Sequence, residues 1–136
     1  MPRVTATAHV IATLATIVVP LSSWAATTTV NKVAPSGSPV EIADVFRLYP
    51  DCTASLDFSL KTTQEPANGK LSLQNGDIWL SLPESNPHHA CDGKKIQGTR
   101  VLYQSNKDYV GSDAVTLDTI FNDGSEWIDQ INITVK

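Results

Sequence analysis

From Gly98 to Lys136 the chain alternates apolar and polar residues almost throughout. Val115, Leu117 and Phe121 share one parity before the turn Asn122-Asp123-Gly124-Ser125; Trp127, Ile131, Ile133 and Val135 share one after it. Their even-numbered neighbours Thr116, Asp118, Gln130, Asn132 and Thr134 are polar. A period of two sends successive side chains to opposite faces, so these runs predict half-buried antiparallel strands, one face in a core and one in water. On this parity Trp127 is expected to pack inside. A third run, Thr99 to Gln104, leads in, and nowhere are apolar residues spaced at sustained helical intervals.

The same period recurs upstream. Thr27 to Val33 is a possible first strand, and Pro35-Ser36-Gly37-Ser38-Pro39 forbids regular structure after it. Val40-Glu41-Ile42 restarts the alternation, Phe46 and Leu48 keep the even parity, and Val45 breaks it, which predicts a bulge or strand end near Asp44. Tyr49-Pro50-Asp51 is a loop that delivers Cys52. Leu56, Phe58 and Leu60 alternate with polar residues, and Gln64 to Gly69 connects onward. Leu71 and Leu73 lead into Asn75-Gly76, and Ile78, Leu80 and Leu82 lead out; Asn-Gly between alternating runs predicts a hairpin, because both residues tolerate positive φ. Pro83 to Gly98 is the longest irregular stretch. About seven short strands with polar turns predict an all-β fold, an antiparallel β-sandwich rather than a closed barrel.

Several residues along these strands occur in a telling order. Pro66-Ala67-Asn68-Gly69-Lys70-Leu71 is followed by Tyr103, Tyr109-Val110-Gly111-Ser112-Asp113, Asp123-Gly124 and the closing Ile131-Asn132-Ile133-Thr134-Val135. The set resembles a bacterial cadherin-like (immunoglobulin-like) domain over residues 40–136. Gln104-Ser105 stands where that family tends to have Thr-Pro, and Val115-Thr116-Leu117 replaces its aromatic strand. The resemblance implies an immunoglobulin/cadherin-like sandwich and a role in adhesion or protein–protein binding. It also raises Ca²⁺, a hard cation that takes six to eight oxygens. The carboxylates at predicted strand ends are Asp44, Asp51, Asp113 and Asp123; for Asp113 and Asp123 the competing role is that of turn residues accepting backbone N–H groups.

Met1 to Ala25 reads as a signal peptide: Arg3, the apolar run Val10 to Val19, then Pro20 and Ser23-Trp24-Ala25 with small residues at the cleavage positions. The run falls short of the roughly 20 residues of a membrane span; an uncleaved amino-terminal anchor is the rival reading. Residues 26–39 then form an amino-terminal segment and linker, and the expected location is periplasmic or extracellular, with no membrane span after cleavage. Cys52 and Cys91 in an exported chain predict one disulfide. Closing a loop of about 40 residues stabilises by roughly 4 kcal/mol on the chain-entropy estimate, and the spacing is far from a redox C-x-x-C pair. A net charge of -4 with Lys94-Lys95 as the one adjacent basic pair argues against a nucleic-acid partner.

Two stretches carry candidate chemistry. His88-His89-x-Cys91-Asp92 offers imidazole and carboxylate ligands for Zn²⁺ or copper, although the disulfide would claim Cys91 and loop histidines are ordinarily solvated. Trp79 has parity opposite to Ile78, Leu80 and Leu82, so it points away from that core face and is the aromatic candidate for binding. No G-x-S-x-G elbow or other nucleophile context is present, and no cofactor is implied beyond the Ca²⁺ question. The sequence therefore points to an exported, non-enzymatic immunoglobulin-like binding or adhesion module of the bacterial envelope or extracellular space, its partner a protein or carbohydrate surface. The alternatives are a small secreted carbohydrate-binding or enzyme-inhibitor protein, and a periplasmic metal-binding protein using His88 and His89.

Overall fold

The computed structural model describes residues 25–136, so the signal-peptide reading of Met1–Ala25 lies, Ala25 apart, outside the described residues. Nine strands follow in chain order: β1 (Ala26–Ala34), β2 (Pro39–Val45), β3 (Arg47–Leu48), β4 (Ala54–Ser55), β5 (Phe58–Gln64), β6 (Gly69–Trp79), β7 (Lys95–Ser105), β8 (Gly111–Phe121) and β9 (Glu126–Val135). Among the described residues the one helical element is a 3-10 turn at His89–Cys91, and no helix is long and apolar enough to cross a membrane. The protein is all-β.

The first sheet has the order β1-β9-β8-β5 and the second β2-β7-β6, with β3 and β4 paired as a small ribbon. β8 and β9 are antiparallel from Gly111↔Val135 to Ile120↔Glu126, joined by the predicted turn. β1 departs from the antiparallel expectation. It runs parallel to β9, from Ala26↔Trp127 to Ala34↔Val135, and hydrogen bonds from Ser36 N to Lys136 O (2.9 Å) and from Lys136 N to Ala34 O (3.0 Å) extend the pairing beyond the strand ends. Alternation fixes which face a residue takes and is silent on strand direction. Residues 26–39 thus contribute an edge strand to the first sheet.

Side chains from both sheets meet in one core. Ala34 comes from β1, Ile42 and Val45 from β2, Val101 and Tyr103 from β7, Val115 and Leu117 from β8, and Ile131, Ile133 and Val135 from β9. Burying each large apolar side chain stabilises by about 1.5–3 kcal/mol. The odd parity read from β8 and β9 is the core parity. In β2 the register shifts between Glu41 and Ala43, so the bulge sits at Ile42, two residues before the predicted position. The shift explains how Ile42 and Val45, of opposite parity, share one core.

The hairpin expected at Asn75-Gly76 does not exist. β6 passes through both residues and pairs with β7 from Gly69↔Ser105 to Trp79↔Lys95 without a register shift; Asn75 lies opposite Thr99 and Gly76 opposite Gly98. Thr99 Oγ1 donates to Asn75 Oδ1 at 2.7 Å. The change of parity has another cause: the ribbon buries opposite faces at its two ends. Leu71, Val101 and Tyr103, all odd, face the main core. Ile78 and Ile96, both even, join Leu80 and Cys91 in a second cluster against Phe46, Leu48 and Leu82. The connection between β6 and β7 folds back over that face and is pinned by the Cys52–Cys91 disulfide, as the sequence predicted. Gly98 lies where the covered face changes; a Cβ there would run into Cδ1 of Ile78, whereas a Cβ on Gly76 meets nothing within 4 Å.

At the opposite end of β7 a buried carboxylate ties three segments together. Asp113 accepts hydrogen bonds from Ala67 N (2.8 Å), Asn68 N (2.9 Å), Ala114 N (2.9 Å) and the Tyr103 hydroxyl (2.9 Å). Burial pushes its carboxyl up, but these donors outweigh burial and hold it below the usual aspartate range. Burial, then the hydrogen bond to Asp113, pushes the Tyr103 phenol well above its ordinary value. The Tyr103 ring lies so close to Gly69 that a Cβ there would sit 2.6 Å from Cε2.

Substitutions at three of these positions test the packing. Gly98→Ala overpacks the second cluster and should lower unfolding free energy by about 1–3 kcal/mol, read as a lower urea midpoint. Gly76→Ala should be neutral or slightly stabilising; a large loss there would restore the turn that a left-handed Gly76 requires. For Asp113 the depressed carboxyl means that the unfolded chain binds the extra proton first. Its stabilisation is complete above the unfolded value of about 3.9 and is lost as pH falls through the lower folded value. Asp113→Asn should therefore cost about 1–3 kcal/mol at pH 7 and flatten the loss of stability between neutral and acid pH, measured by urea unfolding across that range.

Candidate functional site

The core faces of β8 and β9 extend past the reach of the second sheet, and a cleft of about 510 Å³ opens there. Its floor is Thr119, Phe121, Trp127 and Asp129, all of the core parity. One wall is the chain leaving β2, from Asp44 through Arg47 and Tyr49 to Pro50; the other is Leu82, Asn86 and His88 of the β6–β7 connection. Cys52 lies just beyond the first wall and Cys91 just beyond the second, so the disulfide fixes the walls relative to each other.

Arg47 locks the floor to the first wall. Its guanidinium lies 5.1 Å from the Phe121 ring centroid, donates to Ser125 Oγ at 3.0 Å and pairs with Asp123 at 2.6 Å. The Ser125 hydroxyl and amide hold the Asp123 carboxyl below its usual range, with Arg47 adding to the effect. Phe121 takes Phe58 and Trp127 edge-on, with centroids at 6.0 and 5.9 Å. Arg47 thus occupies the Phe121 face, while Trp127 is 50% exposed and Tyr49 is exposed at the rim.

The polar groups of the cleft are unevenly satisfied. Asp129 accepts from the Thr28 hydroxyl on β1. Asn86 Oδ1 accepts from His88 N at 2.8 Å. The Asp44 carboxyl is pushed up by burial and by Glu41, with Arg100 opposing. Thr119 is 2% exposed and its Oγ1 finds no hydrogen-bond partner in the protein.

The residues singled out from sequence fall in different places. Trp79 is 68% exposed with the Lys95 ammonium 6.0 Å from its ring centroid, on the outward side expected for it, but it is not part of the cleft. Trp127, expected inside, is a correction: its parity is that of the core, but no strand of the second sheet covers this end of β9. The signal was available in Asp129, a carboxylate of inward parity two residues on, and in Thr119, the cross-strand partner of Trp127. His88 lines the cleft, whereas His89 Nδ1–H donates to the Leu82 carbonyl at 2.8 Å and Asp92 accepts from Leu82 N at 2.7 Å. Among the described residues no three His, Cys, Asp or Glu side chains gather to hold a metal ion. The four aspartates raised for Ca²⁺ are apart as well. Asp51 and Asp123 close turns onto Thr53 and Ser125, Asp113 is buried against Tyr103, and Asp44 sits at the cleft.

No protein-family model matches the chain, and no curated protein matches it. A solved structure of a 2,6-sialyltransferase from Photobacterium sp. JT-ISH-224 (Vibrionaceae), in ternary complex with CMP and lactose, is similar over 85% of this chain, with 13% identity and a TM-score of 0.33. The chain spans 18% of that structure, and a likeness this low carries no argument.

Because the disulfide closes a loop across the second cluster, replacing both cysteines (Cys52→Ser with Cys91→Ser) should lower unfolding free energy by roughly 4 kcal/mol. The check is the urea midpoint of the double variant against the oxidised protein; an unchanged midpoint would mean that the bridge contributes nothing.

Proposed function

We propose that the chain is an exported, non-enzymatic binding module of immunoglobulin-like β-sandwich form, acting at the bacterial envelope or outside the cell through the cleft floored by Trp127. The sandwich form is supported by two sheets, β1-β9-β8-β5 and β2-β7-β6, around a shared core. It is supported further by the convergence of Asn68, Gly69, Tyr103 and Asp113, all members of the cadherin-like set. Export is supported by the disulfide, which persists in oxidising compartments, and by the leader-like amino terminus.

The observation that carries the binding reading is the cleft itself. Its volume of about 510 Å³ falls within the 300–1,000 Å³ common for small-ligand sites. Exposed aromatic faces with a few polar groups are the usual furniture of such sites. No serine or cysteine lines the cleft beside His88, so the side chains there suit recognition better than covalent chemistry.

Cosedimentation of the purified protein with isolated Gram-negative cell envelopes tests the reading. Trp127→Ala should cut retention by about tenfold, as expected for an aromatic hot spot, and Trp79→Ala should leave it unchanged. Loss with Trp79→Ala alone would move the binding surface to the outer face of the β6–β7 ribbon. No retention of the unaltered protein would overturn the envelope reading.

A further inference from the structure

The outer edge of β6 is the least guarded of the four edges in the two sheets. β2 opens on Pro39 and is bulged at Ile42, and β5 shifts register between Thr62 and Gln64. β1 carries Lys32, and its exposed Val30 and Val33 lie on opposite faces. Prolines, bulges and lysines are what keep an edge from pairing with another chain. β6 runs for 11 residues without a register shift, and from Leu71 to Gly76 it carries no charge. Its ladder also fixes which main-chain groups are free. Asn68 O accepts from Asn106 N (2.8 Å) and Leu80 N donates to Lys94 O (2.9 Å), each one step beyond an end of the β6–β7 pairing. Bonded pairs alternate along an antiparallel ladder, so the even residues of β6 bond to β7 and the odd residues turn their N–H and C=O outward. The Arg100 side chain takes the Asp77 carbonyl, which leaves Gly69, Leu71, Leu73 and Asn75 as the open run.

We propose that this run pairs antiparallel with the same run of a second copy of the chain, centred on Ser72, joining the two β2-β7-β6 sheets into one. Centring on Ser72 is the register in which all four open residues meet open partners: Gly69 lies opposite Asn75, and Leu71 opposite Leu73, of the other copy. Any extended strand could supply main-chain partners; the side chains select a second copy. Leu73 is 57% exposed, and it comes to lie against a Leu71 that already borders the main core. Symmetry makes that contact twice. Both side chains line an open groove of about 510 Å³ between β5 and β6, with Leu60 and Pro66 beside them. On the other face Lys70 lies opposite Gln74, so no like charges meet, and the Ser72 hydroxyl meets its own copy, donor to acceptor. Trp79 and the cleft beside Trp127 both lie outside the paired run. The dimer therefore goes beyond the binding-module reading, and it would present two such clefts at once.

Sedimentation velocity of the purified protein from about 1 to about 500 µM tests the association, which mass action makes concentration-dependent. The mass should rise from one chain toward two. Leu73→Lys sets an ammonium against Leu71 of the other copy at both symmetric positions and should weaken association about tenfold or more. Because Leu73 is exposed in the single chain, the thermal midpoint in dilute solution should not change. Single cysteines read the register. Ser72 faces Ser72 of the other copy at about 4.5 Å between Cα atoms, within disulfide range, so Ser72→Cys should cross-link two chains under oxidised glutathione. Gln74→Cys should not, because its two copies stand about 13 Å or more apart along the strands. A single-chain mass at every concentration, dimers indifferent to Leu73→Lys, or a cross-link at Gln74→Cys in place of Ser72→Cys would each overturn the proposal.

Discussion

One ribbon has to cover two cores. β6 and β7 pair without interruption, yet their odd face closes the main core and their even face closes the cluster under the disulfide. A strand pair that is half-buried on one side along its length needs one apolar parity. A pair that changes its covered side needs two, and a place at the changeover where side chains do not collide. Gly98 supplies that place, since the Ile78 side chain lies where its Cβ would be. The cleft is what remains between the two clusters. Val45 of the main core and Phe46, Leu48 and Leu82 at the second cluster stand at its edges, and neither cluster extends far enough to fill it.

This arrangement explains which parts of the fold were legible in the chain. Parity in β8 and β9 gave the inward set correctly because those strands lie against one core along most of their length. Cysteine count and spacing gave the disulfide because only one pairing was possible. The Asn75-Gly76 hairpin failed for a physical reason. A parity change arises from a turn, a bulge or a change of covered face, and Asn-Gly favours a turn only where positive φ is required. Gly76 lies in an extended strand opposite Gly98, which requires no such conformation. The parallel pairing of β1 was not legible at all, since alternation carries no direction.

Trp127 shows the difference between facing inward and being buried. Its parity is that of Ile131, Ile133 and Val135, and its ring contacts Phe121 as a core residue would. It is half-exposed because burial also requires a second layer, and the second sheet ends before it. Asp129 and Thr119 share that inward face, and a carboxylate there is costly unless water or a partner reaches it. Polar residues on the core parity at a strand end are therefore a sign that the covering layer has ended and the inward face has become the wall of a cleft.

Most of the residues that carry the cadherin-like resemblance lie far from that wall; Asp123, which pairs with Arg47, is the exception. Asn68, Gly69, Tyr103 and Asp113 converge where β7 ends and β8 begins, and their contacts are with one another. The Asp113 carboxylate satisfies backbone N–H groups of a loop that has no strand partner of its own, and Gly69 makes room for the ring that delivers the fourth donor. Apart from Asp123 and its grip on Arg47, the cleft is built from residues outside that set, on the disulfide-linked walls and the overhanging ends of β8 and β9. The buried tie at Asp113 and the cleft beside Trp127 thus lie at opposite ends of β8, and a resemblance carried by the first says nothing of what the second would hold.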